Sequence, residues 1–122
     1  MKLFIIVHEN AIKSYVHNNH DSLESDARRV LKTIQEIKKR EPSLEIENGS
    51  ALNLHPEMPT PDNELEILVC GEYKQTCCAM QLYSLRKAGY SVSFREDACF
   101  DNHLRWPSPP TDLKETIPEL FP

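Results

Sequence analysis

The chain has 122 residues, enough for one domain with a buried core and too few for two of ordinary size. Its 39% hydrophobic and 27% charged residues exclude a disordered chain. Its net charge of -5, with no clustered basic face, excludes a nucleic-acid partner.

Leu3 to Val7 is a continuous apolar run closed by His8, Glu9 and Asn10, which predicts a strand buried on both faces. The run is too short to span a bilayer, so no membrane partner is expected. It also lacks the flanks of a signal peptide, and the expected location is cytoplasmic. Residues 11–20 are polar and rich in His and Asn and read as a loop. A helix follows, with Asp21 as N-cap and Glu24 completing a capping box. Leu23, Ala27, Val30, Leu31, Ile34 and Ile37 form its apolar stripe, Lys38, Lys39 and Arg40 its solvated end, and Pro42 stops it.

Leu44 to Glu47 alternates as a half-exposed strand does. Residues 48–64 hold Gly49, Pro56, Pro59 and Pro61 and read as a long connection. Leu65 to Cys70 is a second buried strand, broken by Gly71. A helix from about Thr76 to Lys87 ends at Gly89, a good residue just past a helix end. Tyr90 to Phe94 alternates again. After Asp97 the chain turns polar and proline-rich; Thr111 caps a short last helix, limited by Pro118, and Trp106 covers an apolar patch.

This order predicts a single α/β domain over residues 1–122. It would have three layers: a mainly parallel, Rossmann-like sheet of about four strands with helices on both faces. Ligands of such sheets bind beyond the carboxyl ends of the strands. Those ends carry His8, Glu9 and Asn10, then Gly71 to Cys78, then Glu96 to Cys99. The four cysteines, Cys70, Cys77, Cys78 and Cys99, read as free thiols. No C-x-x-C pair is present, and neither metal nor cofactor is expected, although Cys77, Cys99, His103 and His8 would be the ligands of a rim site. Cys77 is the distinctive thiol. At a helix start, the dipole and backbone N–H groups would stabilise its thiolate. N–H groups near Thr76 to Cys78 would serve a developing oxyanion, and Cys70 and Cys78 read as packing.

The segment from Ile67 to Cys99, ILVCGEYKQTCCAMQLYSLRKAGYSVSFREDAC, resembles the carboxyl half of the isochorismatase-like cysteine hydrolases. In that family a buried strand leads to a glycine, with the nucleophilic cysteine six residues later at the start of a helix. The helix ends in Gly-Tyr, and an Asp-Ala closes the next strand. Gly71, Cys77, Gly89, Tyr90, Asp97 and Ala98 stand at those places. The family pairs its cysteine with an Asp base and a Lys. Here His8 stands at the Asp position, residues 48–64 hold no Lys, and Lys74-Gln75 replaces the Thr-Asp before the cysteine.

The resemblance implies a shortened member hydrolysing a small amide or ester, with Cys77 as nucleophile and His8 as base. Thr76, Cys78, Lys74, Tyr73 and Asn10 would line the oxyanion and binding site. The partner would be a small-molecule substrate, and a homo-oligomer would cover the sheet edge uncovered by the lost segment. The alternative is a catalytically inactive relative that acts as a binding or regulatory protein.

Overall fold

The computed structural model describes residues 1–18, 24–47 and 50–122. Its strands are β1 (Lys2–Val7), β2 (Ser43–Ile46), β3 (Glu66–Glu72) and β4 (Ser91–Phe100). They form one parallel sheet in the order β2-β1-β3-β4. The helices are α1 (Glu9–Asn18), α2 (Glu24–Arg40), α3 (Ala79–Lys87) and α4 (Leu113–Thr116). Among the described residues no helix is long and apolar enough to cross a membrane.

Alternation along the central strands creates the three layers. Leu3, Ile5 and Val7 of β1 and Ile67 and Val69 of β3 point to one face. There they pack with Leu82 and Leu85 of α3 and with Leu113 and Ile117. Phe4 and Ile6 with Leu68 and Cys70 point to the other face, against Ile12 of α1 and Ala27, Val30, Ile34 and Ile37 of α2. The α2 stripe is therefore as the sequence predicts, with Leu31 half-buried. The expected Asp21 cap, the Glu24 side chain and Leu23 lie outside the described residues.

Four expectations are corrected. Residues 11–18 are helical, not loop: Ile12, Tyr15 and Val16, three and four apart, give α1 a narrow apolar stripe that packs on the second core. Gly71 does not break β3, which continues through it to Glu72. The helix expected from Thr76 begins as a five-residue π-helical turn, Lys74–Cys78, before α3 proper. β4 runs on to Phe100, so Glu96 to Cys99 lie within a strand rather than on a rim. In the ladder Val69 pairs with Phe94 and Gly71 with Cys99, so Arg95 to Ala98 oppose Cys70 alone in a large bulge.

At the last helix, Asp112 rather than Thr111 holds the N-cap position, with no side-chain capping bond. The described part of the long connection is pinned to α3. Buried Gln81 donates from Nε2 to the carbonyls of Ala51 (2.8 Å) and Asn53 (3.1 Å). The Tyr90 hydroxyl donates to the Pro59 carbonyl.

Candidate functional site

The carboxyl end of β3 starts from a glycine that the backbone requires. Gly71 has φ +119°, and a Cβ there would lie 2.0 Å from the Val7 carbonyl oxygen of β1. The close approach of the two central strands delivers the next residue, Glu72, to the rim in a buried position, only 8% exposed. Its Oε2 is buried, with no hydrogen-bond partner among the described residues. Burial in a low dielectric disfavours the carboxylate and pushes its pKa up to about 7, against the opposing pull of the Tyr73 side chain. The Tyr73 ring lies 5.7 Å from that of Phe100, which also meets Tyr15 at 5.2 Å. Burial first, then the charges of Glu72 and Tyr15, raises the Tyr73 hydroxyl, and Asn102 opposes them.

The turn after Tyr73 carries most of the expected site residues. The N–H groups of Thr76 and Cys78 both donate to the Tyr73 carbonyl, at 3.0 and 3.1 Å. Two of the expected oxyanion donors are thereby engaged within the turn. Thr76 Oγ1 donates to the Leu104 carbonyl at 2.9 Å, and the Trp106 N–H donates to the Gln75 carbonyl at 3.1 Å, so the turn is strapped to the segment that follows β4. Lys74 Nζ pairs with Glu96 at 2.7 Å and stands 5.5 Å from the centre of the Phe94 ring.

Cys77 is half-buried in this turn, against the α3-side core. Its thiol pKa is raised, by burial first and then by the negative charge of Glu72. This reverses the expectation of a dipole-stabilised thiolate. The cysteine sits in a wide turn with a carboxyl nearby, and among the described residues no cation acts on its thiol to favour the charged form. Cys78 and Cys70 are buried thiols raised by desolvation, in keeping with packing roles. Cys99 is buried within β4, its Sγ 3.5 Å from the Val69 carbonyl oxygen.

His8 and Asn10 belong to a second group on the same rim. His8 has φ 55° and turns the chain from β1 into α1. It lines an open cleft with Asn10, Ala11, Ser14 and Glu47. The Asn10 N–H donates to both carboxylate oxygens of Glu47, at 3.2 and 3.3 Å. Among the described residues no hydrogen bond or ion pair joins His8 to Cys77.

Beside this cleft Glu9, 2% exposed, meets Lys38 at 2.8 Å and Lys13 at 3.6 Å, and Lys38 also pairs with Glu45 at 2.7 Å. These contacts raise the Lys38 ammonium, and Lys38 lowers the Glu45 carboxyl. Ligand atoms of Glu9, Glu45 and Glu47 lie within 4.8 Å of one another, the spacing a cation needs. The Lys38 ammonium, bound to two of them, already supplies a positive charge there.

The residue that sequence reasoning missed is Glu72. An acid after LVCG reads as the solvent-exposed end of a strand, and only the sheet register shows that it is buried. Its signal was its position: the first charged side chain after the apolar stretch from Ile67 to Gly71, five residues before Cys77.

Searches of family models, curated proteins and solved structures find no match to this chain.

Proposed function

We propose that the chain is a thiol-dependent hydrolase of a small amide or ester, with Cys77 as nucleophile and Glu72 as its proton acceptor. The observation that carries this reading is a buried carboxyl with an unpartnered oxygen and a pKa near neutrality, close enough to a half-buried thiol to perturb it. A base titrating near the working pH is both available and strong enough to be useful. The resemblance of residues 67–99 to the isochorismatase-like cysteine hydrolases supports the same assignment for Cys77. Glu72 then does the work that resemblance gives to His8, and His8 is the alternative base.

Glu72 takes the Cys77 thiol proton, and the sulfur attacks the substrate carbonyl carbon. The tetrahedral intermediate collapses as the Glu72 proton passes to the departing amine or alcohol, which leaves a thioester. Water then gives a proton to Glu72 and its oxygen attacks the thioester carbon. The acid departs, and the proton returns to the Cys77 sulfur. A cytoplasmic setting fits the four free cysteines, and the outer strands β2 and β4 leave edges that a second copy could pair with.

Incubation with p-nitrophenyl acetate tests the reading. The expected outcome is one acetyl group per chain, located on Cys77 by mass spectrometry. The acylation rate should rise through an inflection near pH 7 that disappears in Glu72→Gln, with a loss of roughly 100-fold at neutral pH. If the inflection instead disappears in His8→Ala and persists in Glu72→Gln, the base is His8.

The second reading, an inactive relative acting by binding, is favoured by one observation. The Thr76 and Cys78 N–H groups are spent on the Tyr73 carbonyl, which removes two donors an oxyanion would need. Acetylation no faster than that of Cys77→Ser would establish this reading over the hydrolase.

A further inference from the structure

A cleft of about 400 Å³, separate from the Glu72–Cys77 group, opens between the turn at Gln75 and the carboxyl-terminal segment. Its volume lies within the roughly 300–1,000 Å³ usual for small-molecule sites. Trp106, Leu113, Leu120, Phe121 and the last residue, Pro122, make its walls mostly apolar, and Arg105 and Gln75 are its polar side chains.

The walls are fixed from behind. The Trp106 ring meets Tyr83 of α3 edge-on, with centroids 5.8 Å apart, and the Trp106 backbone N–H is tied to the Gln75 carbonyl. Tyr83 donates to Asp112 at 2.7 Å, and Lys87 pairs with the same carboxylate at 2.7 Å, which anchors the start of α4 to α3. Leu113 is buried, whereas Phe121 is 47% exposed at the mouth. Arg105, by contrast, makes no hydrogen bond or ion pair among the described residues. The cleft therefore offers a rigid apolar floor and an uncommitted guanidinium, the arrangement that suits an anion carried on an apolar body.

We propose that this cleft binds a small monocarboxylate with an apolar body, the body against Trp106 and Leu113 and the carboxylate on Arg105. The charge complementarity of the unpaired guanidinium selects this class over a neutral apolar ligand. The proposal is independent of the hydrolase reading, since no step in it uses Cys77 or Glu72.

Trp106 is the one tryptophan in the chain, so its fluorescence reports on the cleft directly. The test titrates the whole protein with cyclohexanecarboxylate and, in parallel, with cyclohexylmethanol, neither of which absorbs at the excitation wavelength. The expected result is a saturable change with the acid, at an affinity about tenfold or more above that for the alcohol. Arg105→Gln should abolish that preference while leaving the weak response to the alcohol, and Cys77→Ser should leave both titrations unchanged. Arg105 is exposed, so its replacement should not disturb folding, and an unchanged circular dichroism spectrum checks this. Equal affinity for acid and alcohol, retention of the preference in Arg105→Gln, or no saturable change up to millimolar concentrations would each overturn the proposal.

Discussion

Glu9 and Glu72 lie at the carboxyl ends of adjacent parallel strands, and both are buried, at 2% and 8% exposure. Glu9 is met by Lys38 and Lys13, and the wider group adds Glu45. Among the described residues Glu72 has no cation beside it and an oxygen with no partner, and its pKa is raised to about 7. Burial alone does not decide what a carboxyl becomes. The same desolvation produces a fixed ion pair where a lysine reaches in and a titrating acid where none does. The first arrangement holds α1, α2 and β2 together, and the second leaves a carboxyl of raised pKa near the Cys77 thiol. This contrast moves the chemical interest of the rim from the first strand end to the third.

The most severe way to break the contrast is to remove what creates the β3 end. Gly71→Ala would place a methyl group 2.0 Å from the Val7 carbonyl oxygen, in a backbone conformation that alanine rarely adopts. The expected loss is about 4 kcal/mol or more in urea denaturation. A loss below about 1 kcal/mol would mean that β1 and β3 do not approach there as described.

Next in size is Glu72→Gln, whose effect depends on pH. The native carboxyl titrates near 7 against an ordinary value of 4.5. Between those values the native state holds more protons than the unfolded one, so stability falls as pH rises from 4.5 to 7 and is level above. Below 4.5 the penalty is absent. Above 7 it is complete, at about 3 kcal/mol. Glu72→Gln should therefore stabilise the protein by up to that amount at pH 8, do little at pH 4.5, and flatten the profile between. A profile unchanged by the substitution would mean that Glu72 is no more perturbed than an exposed acid.

What the sequence disclosed, and what it hid, follows the same physics. The central strands were legible because Leu3 to Val7 and Ile67 to Cys70 are uninterrupted apolar runs. So was α2, whose stripe keeps its period through Ile37. The α1 helix was hidden because only Ile12, Tyr15 and Val16 pack inward among polar neighbours. The end of β4 was hidden because Arg95, Glu96 and Asp97 sit in a bulge, where the ladder skips them and alternation fails. The position of Cys77 near a helix start was readable. Its raised pKa was not, because that depends on core packing and on a carboxyl from the preceding strand. Glu72 could be placed, as the acid five residues before Cys77, but no one-dimensional pattern distinguishes a buried acid from an exposed one.

The paired half of the contrast is tested by Lys38→Met. Among the described residues Glu9 would keep only Lys13, at 3.6 Å and half exposed, as a counter-charge. A buried carboxylate stripped of its nearer partner is expensive, and the loss should be roughly 2 kcal/mol at pH 7, moderated because Lys38 is itself 34% exposed. Adding Glu9→Gln should recover part of that loss, because the coupling belongs to the pair. If the double variant were no more stable than Lys38→Met, the lysine would be acting through Glu45 instead.

The smallest expected effect separates the two ends most cleanly. His8 holds φ 55° in the left-handed region, which glycine adopts with less strain, and its N–H donates to the Ile46 carbonyl at 2.8 Å whatever its side chain. His8→Gly should therefore keep the turn from β1 into α1 and change stability by only about 0.5 kcal/mol, in the stabilising direction, because relief of strain is partly offset by glycine's unfolded-state entropy. With Glu72 as the proton acceptor, the same variant should keep both the pH 7 inflection of Cys77 acylation and its rate. Loss of the rate without loss of the inflection would make His8 a positioning residue for the substrate. It would also join the two groups on the rim into one site, because a side chain from the β1 end would then be serving a thiol that the β3 end controls.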